Sequence, residues 1–225
     1  GAHLGIAYDG DADRIGAVDE NGRIIWGDEM MVAFSRALLK ERAGATILGE
    51  VKCSQTLYDD IAKHGGNPVI WKTGHSLIKT KMKETGALLA GEMSGHLFFA
   101  DRYFGYDDAV YAGARLIEIL AKSGKKLSSI LADLPRTVFT PELRVDCPDE
   151  IKFQLADQAR DRFRDLGYDL IDVDGVRIRF DKGWGLIRAS NTQPALVMRF
   201  EASDQSVLDQ YRRIVEGELD SLKAR

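Results

Sequence analysis

The chain enters an apolar run almost at once. Leu4–Tyr8 and residues 15–18 are short strand-like stretches on either side of an acidic loop, and Asn21-Gly22 marks a turn before a third such stretch at 23–26. Over residues 28–42 the period changes: Met31, Val32, Phe34, Ala37, Leu38 and Leu39 lie on a helical stripe, with acid in the first turn and base in the last, as the helix dipole favours. Strand and helix patterns then alternate: strand 46–51, helix 56–64, strand 68–71, helix 77–85, strand 87–90. Repeated β-α-β units of this kind predict a parallel sheet covered by helices. Helices at 109–122 and 127–133 complete the unit, and Pro135 and Pro141 bracket a connection, which puts a boundary near 136–140.

The remainder has another rhythm. A helix at 151–166 precedes strands at 168–172, 176–180, 185–188 and 196–201, with Asp174-Gly175 as a tight turn, and a helix at 205–223 follows. The predicted fold class is α/β: a mixed or parallel α/β/α sheet domain, then a smaller α+β domain with an antiparallel sheet. Bulk numbers agree, since 225 residues with 44% hydrophobic content suffice for one or two cores. Because the chain starts so close to a strand, it reads as a piece of a longer protein.

Charge and cysteine content exclude several classes. With 31 Lys+Arg against 35 Asp+Glu, the net charge of -4 gives no basic field for nucleic acid and no basic tail for a membrane surface. No apolar run approaches the roughly 18 residues of a membrane span. Cys53 and Cys147 form no CxxC or zinc-type spacing, which fits a reducing compartment, and the expected location is cytoplasmic.

Three constellations could carry chemistry. In the first, Asp9, Asp11 and Asp13 alternate along an extended loop ending in Arg14, and a hard divalent cation would offset the repulsion of gathering three carboxylates. An EF-hand would use Asp9, Asp11, Asp13 and Glu20, but Arg14 stands where the sharp turn wants glycine, and the flanks are strand-like. An acidic solvated turn is the plain alternative. In the second, Glu92, Ser94 and His96 lie in a segment with glycines at 91 and 95 and offer the acceptor and donor mix that sugar hydroxyls require. The same loop also reads as a β-turn; Glu92, two residues before Ser94, breaks the hydrolase elbow pattern. In the third, Arg188, Ser190, Asn191 and Thr192 end a strand in a turn bounded by Pro194, where a guanidinium, hydroxyls, an amide and unpaired backbone N–H groups suit a phosphate; a surface turn is again the alternative. Lys52 and His75 stand at predicted strand ends, and the Asp172 and Asp174 pair reads as a hairpin turn.

Taken in order, DGDADR (9–14), VKC (51–53), KTGHS (72–76), GEMSGH (91–96) and RASNTQPALVMRFEA (188–202) resemble the α-D-phosphohexomutases, in particular the bacterial phosphomannomutase/phosphoglucomutase branch. The resemblance covers nearly the whole chain and implies a four-domain enzyme: 1–22 as the end of domain two, 23–135 as domain three and 140–225 as domain four. It implies Asp9, Asp11 and Asp13 as Mg2+ ligands and Arg14 beside the transferring phosphoryl group. Glu92 and Ser94 would hold sugar hydroxyls, while Lys52, His75 and His96 would be polar active-site residues, His96 sharing in proton transfer. Arg188, Ser190, Asn191 and Thr192 would cradle the substrate phosphate. The implied reaction interconverts hexose 1-phosphate and hexose 6-phosphate of mannose or glucose, through a hexose 1,6-bisphosphate, with a phosphoserine on domain one. No loop like that of the phosphoserine occurs in these residues, so the upstream domains of the same enzyme are the expected partner. Two positions differ or discriminate: Ala12 stands where the family commonly has glycine, and Met93 is the variant similar to mannose/glucose rather than glucosamine specificity. Two rival readings are a phosphosugar-binding module without catalysis and a metal-dependent phosphatase with Asp9 as nucleophile.

Overall fold

In the computed structural model, which describes residues 1–223, the chain divides into two compact units, Gly1–Pro135 and a second beginning at Arg136. The first opens with an antiparallel sheet of β1 (Leu4–Tyr8), β2 (Ile15–Asp19) and β3 (Ile24–Ile25). Helix α1 (Gly27–Glu41) follows; at its start the backbone N–H of Trp26 donates to Glu29 at 3.2 Å, tying down the first turn. Its stripe of Met30, Met31, Phe34 and Leu38 is buried in the core.

β4 (Thr46–Glu50), α2 (Gln55–Lys63), β5 (Asn67–Trp71), α3 (His75–Thr85), β6 (Leu89–Gly91) and β7 (Leu97–Phe99) build a sheet ordered β5-β4-β6-β7. β4 is parallel to both β5 and β6, and β7 closes the edge antiparallel. β4 is buried from Ile47 to Glu50, as a central strand covered on both faces should be. Helices α4 (Ala109–Ser123) and α5 (Leu127–Ile130) complete the unit. Phe34 meets Phe99 edge to face with centroids 5.0 Å apart, joining α1 to β7.

In the second unit β8 (Val138–Phe139), β9 (Leu143–Asp146), α6 (Asp149–Asp165), β10 (Asp169–Ile171), β11 (Val176–Phe180), β12 (Gly183–Ala189), β13 (Ala195–Ala202) and α7 (Gln205–Lys223) follow in order. The sheet is antiparallel throughout, ordered β10-β11-β12-β13-β8, with β9 also pairing with β13. Phe163, Val176, Ile178, Phe200, Leu208 and Val215 form its core between sheet and helices, each worth about 1.5–3 kcal/mol of apolar burial.

The α/β class followed by an antiparallel α+β unit is therefore the observed architecture. Three strands lie outside the sequence expectation. β7 is only three residues long, too short for a period to show. β8 and β9 sit among the prolines that point to a connection; Thr140 is held there by Phe200, donating N–H to its carbonyl at 3.0 Å and accepting its N–H at 3.1 Å. Both cysteines are buried and neither is in a disulfide. Among the described residues no helix is long and apolar enough to cross a membrane.

Candidate active site

Because β4, β5 and β6 are parallel, their carboxyl ends at Glu50, Trp71 and Gly91 share one edge of the sheet. The loops leaving that edge carry Lys52, His75 and the segment 91–96, and the carboxyl edge of a parallel sheet is where such folds bind ligands.

The acidic loop is brought to the same place by the first hairpin. Register Tyr8↔Ile15 leaves residues 9–14 as its tip, and one oxygen from each of Asp9, Asp11 and Asp13 lies within 4.8 Å of the others. Arg14 grips Asp9 twice, through its backbone N–H to Oδ1 at 3.2 Å and its Nε to Oδ2 at 2.6 Å. Partial burial pushes the Asp9 carboxyl up, but the hydrogen bonds and charge of Arg14 outweigh it and hold the group below its ordinary value. Asp13 Oδ1 is buried and accepts no hydrogen bond. A buried carboxylate oxygen without a hydrogen bond, 3.6 Å from Arg14 Nε and beside two more carboxylates, fits a hard cation with oxygen ligands. Glu20, the fourth EF-hand position, instead accepts a hydrogen bond from Ser128, and strands flank the loop. Ala12 adopts φ 57°, the left-handed conformation that glycine takes freely.

This tip is pressed onto segment 91–96. Arg14 and His96 form an isolated antiparallel bridge, and Ile15 N–H donates to the Gly95 carbonyl at 3.1 Å. Gly95 has φ 98°, and a Cβ there would stand 2.3 Å from the Ile15 carbonyl oxygen; one at Gly27 would stand 2.2 Å from that of Glu92. Only glycine lets the hairpin, the start of α1 and this loop nest so closely.

Within the nest, Glu92 is buried and Ser94 is exposed. Burial first, and the neighbouring Glu50 carboxylate second, push the Glu92 carboxyl up to about 7, although Gly74 N–H donates to it at 2.6 Å and Lys52 lies near. Lys52 is itself buried, with Nζ 3.5 Å from Glu50 Oε1. Glu50 also accepts from Thr73 Oγ1 and from Met93 N–H at 3.2 Å, so one buried carboxylate organises three loops.

His75, at the first turn of α3, stacks on His96 with ring centroids 5.7 Å apart. Asp107 lies between them, its Oδ2 at 3.3 Å from His75 Nδ1 and 3.2 Å from His96 Nδ1, while Lys79 Nζ holds Oδ1 at 3.0 Å. Burial raises the Asp107 carboxyl, but the Lys79 hydrogen bond and the charges of Lys79 and His75 bring it below its ordinary value. The structure thus gathers Asp9, Asp11, Asp13, Arg14, Lys52, His75, Glu92, Ser94 and His96 around one edge of the first unit.

The second unit carries the other predicted group. Arg188, near the end of β12, is buried; its Nε donates to Asp174 Oδ2 at 2.9 Å and its Nη2 is buried without a hydrogen-bond partner. Asp174, by its sequence a plain hairpin position, thus also orients this guanidinium. Asn191 and Thr192 are exposed at the turn. The backbone N–H groups are not unpaired as the sequence suggests: Ser190 N–H donates to Ala195 O at 2.9 Å, and Ser190 Oγ accepts from Thr192 at 3.4 Å and Gln193 at 3.2 Å. Ser190 pre-shapes the turn from inside because a hydroxyl there competes well for nearby N–H groups.

Family models agree with this layout. "Phosphoglucomutase/phosphomannomutase, alpha/beta/alpha domain III" matches residues 26–138, and the C-terminal domain of the same family matches 142–217. The chain belongs to the phosphoglucomutase/phosphomannomutase family. It is 46% identical over 220 residues to a phosphomannomutase/phosphoglucomutase of Pseudomonas putida, covering 97% of this chain and 47% of that protein. A phosphoglucomutase of Neisseria meningitidis is 44% identical over 221 residues, covering 96% of this chain and 48% of the relative. A crystal structure of a family protein from Burkholderia thailandensis superimposes with a TM-score of 0.91 at 43% identity, over 99% of this chain and 47% of that one. The chain spans about half the length of the curated relatives it matches.

Sequence reasoning missed four residues that position the family's motifs. Glu50 reads only as the end of a strand. Asp107 adjoins Asp108, which accepts from Tyr111 N–H at 2.8 Å as the N-cap of α4, so an acidic pair before a helix hides a second role. Lys79 looks like one more solvated helix lysine. Lys152, buried on α6, donates to the Gln193 carbonyl at 2.9 Å and braces the second-unit turn from below.

Proposed function

We propose that this chain is the metal-, sugar- and phosphate-binding half of a mutase that interconverts hexose 1-phosphate and hexose 6-phosphate, of mannose or glucose, through hexose 1,6-bisphosphate. Residues 1–22 are the end of a second domain, 23–135 a third and 140–225 a fourth; the upstream domains supply the phosphoserine, and the enzyme is cytoplasmic. Asp9, Asp11 and Asp13 hold Mg2+, which when bound supplies charge neutralisation at phosphoryl oxygens. A structural neighbour from Aspergillus fumigatus, an N-acetylphosphoglucosamine mutase, is described as a complex with GlcNAc-6P and magnesium.

Arg14 steadies the metal loop through Asp9 and keeps its other guanidinium nitrogens for phosphoryl oxygens. Glu92 and Ser94 receive and donate hydrogen bonds to sugar hydroxyls, Lys52 and His75 supply further polar contacts, and His96 takes part in proton transfer at a hydroxyl. Met93 favours the mannose/glucose pair. Arg188, with Ser190, Asn191 and Thr192, holds the phosphate that does not react. The observation that carries this reading is the bridge of Arg14 to His96, because it puts the phosphoryl-side loop and the sugar-side loop in backbone contact. A phosphatase using Asp9 as nucleophile fits less well, since both Asp9 oxygens already accept from Arg14.

Fusing the N-terminal half of the Pseudomonas putida relative to residues 1–225 tests the proposal. The fusion should convert glucose 1-phosphate to glucose 6-phosphate when primed with glucose 1,6-bisphosphate, and the His96→Gln fusion should be slowed. A folded fusion that binds the bisphosphate yet never turns over overturns the catalytic assignment.

A further inference from the structure

Beside the all-oxygen loop stands a second group of donors with a different chemistry. One ligand atom each from Asp13, His96 and Asp107 lies within 4.8 Å of the others. We propose that these three residues form a separate site for a transition-metal ion of the Zn2+ type.

The spacing suits such an ion. Tetrahedral ligands at about 2.1 Å from zinc lie about 3.4 Å from one another; His96 Nδ1 is 3.2 Å from Asp107 Oδ2 and 3.7 Å from Asp13 Oδ2. Two buried atoms here make no hydrogen bond, His96 Nδ1 and Asp13 Oδ1. An ion between Nδ1 and these two carboxylates would be held by all three groups. Outside Asp107 stands the hydrogen bond that a metal-bound carboxylate needs. Lys79 holds Asp107 by Oδ1 and leaves Oδ2 turned inward. His75 shares that oxygen at 3.3 Å, but its side chain is 55% exposed and can turn aside.

The imidazole separates the two sites chemically. Mg2+ prefers oxygen ligands in octahedral geometry, whereas an imidazole with two carboxylates selects zinc-like ions. Asp13 belongs to both groups of donors, so the two sites are neighbours that share one carboxylate.

Zn2+ and Mg2+ titrations of the metal-free 225-residue chain decide the matter, read on histidine ring 1H–15N spectra, which four histidines keep resolvable. Zn2+ should move the His96 ring and Mg2+ should not. By competition with a chromophoric chelator, Asp107→Asn and His96→Gln should each weaken Zn2+ at least about 10-fold, with Mg2+ affinity of Asp107→Asn changed less than about 2-fold. Melting curves establish that each variant is folded. Should His96→Gln not fold, the wild-type ring spectra and Asp107→Asn still distinguish the two sites. A His96 ring unmoved by Zn2+, or folded variants that bind Zn2+ as the wild type does, would place zinc in the Asp9, Asp11, Asp13 loop and overturn the proposal.

Discussion

Glu92→Gln should make the first unit more stable above neutral pH while leaving it unchanged in acid. Glu92 is buried beside Glu50, and burial first, then that second carboxylate, raises its carboxyl from the ordinary 4.5 to about 7. A group whose folded pKa lies above its unfolded value lends stability that is complete below the unfolded pKa and is lost as pH rises through the folded one. The window is therefore pH 4.5 to about 7. At about 1.4 kcal/mol per tenfold change in proton affinity, the ionised form is disfavoured by about 3 kcal/mol. Glutamine keeps the carbonyl that accepts from Gly74 N–H, and its amide can donate to Glu50, so the substitution removes the charge without emptying the position.

The assay is urea unfolding of the metal-free chain at several pH values, followed by hydrogen exchange in peptides of β4 and β6, which report the first unit alone. Wild type should lose about 3 kcal/mol between pH 4 and 8 relative to Glu92→Gln, and the two should coincide near pH 4. A carbon-13 titration of the Glu92 carboxyl should give a midpoint near 7. Parallel stability curves, or a midpoint near 4.5, would refute the reasoning. The physical sense of such a group is that its cost in the empty site is offset by hydroxyl donors, which stabilise its charged form.

Three further outcomes are expected. Ala12→Gly should raise the metal-free melting temperature, because the left-handed conformation strains alanine by about 1 kcal/mol, while Mg2+ affinity by calorimetry stays unchanged since no ligand is lost. Arg188→Ala should weaken inorganic phosphate binding, followed by phosphorus NMR, by about 2–5 kcal/mol, and Glu92→Gln should leave it intact. Asp101→Ala should destabilise the first unit by about 3–5 kcal/mol in denaturant titration, because it strands Arg115, which Asp101 holds through two bonds of 2.9 and 3.0 Å with both side chains under a tenth exposed.

Much of this is legible in the residue order. The parallel unit can be read because β4 and its neighbours are separated by amphipathic helices, and α1, α4 and α7 each run at least 15 residues, long enough for a stripe to repeat. The acidic hairpin can be read because three carboxylates alternate within five residues. Strands β7, β8 and β9 cannot, since two to four residues hold no period, and prolines around β8 and β9 weigh toward a connection.

The supporting residues are illegible for a different reason. Chemistry at a site depends on which side chains meet, and the meetings here span long separations: Glu50 serves Thr73 and Met93, and Asp107 serves His75 and His96. A motif shows the residues whose neighbours in sequence share their task, as in 91–96. It is silent on a lone carboxylate whose partners come from three other loops, because its local surroundings look like an ordinary strand end or helix cap. Ser190 shows the same limit in reverse. Its motif is visible, but its oxygen already accepts from two backbone N–H groups and so shapes the turn, while Arg188, held through Nε by Asp174, brings a buried Nη2 that makes no hydrogen bond.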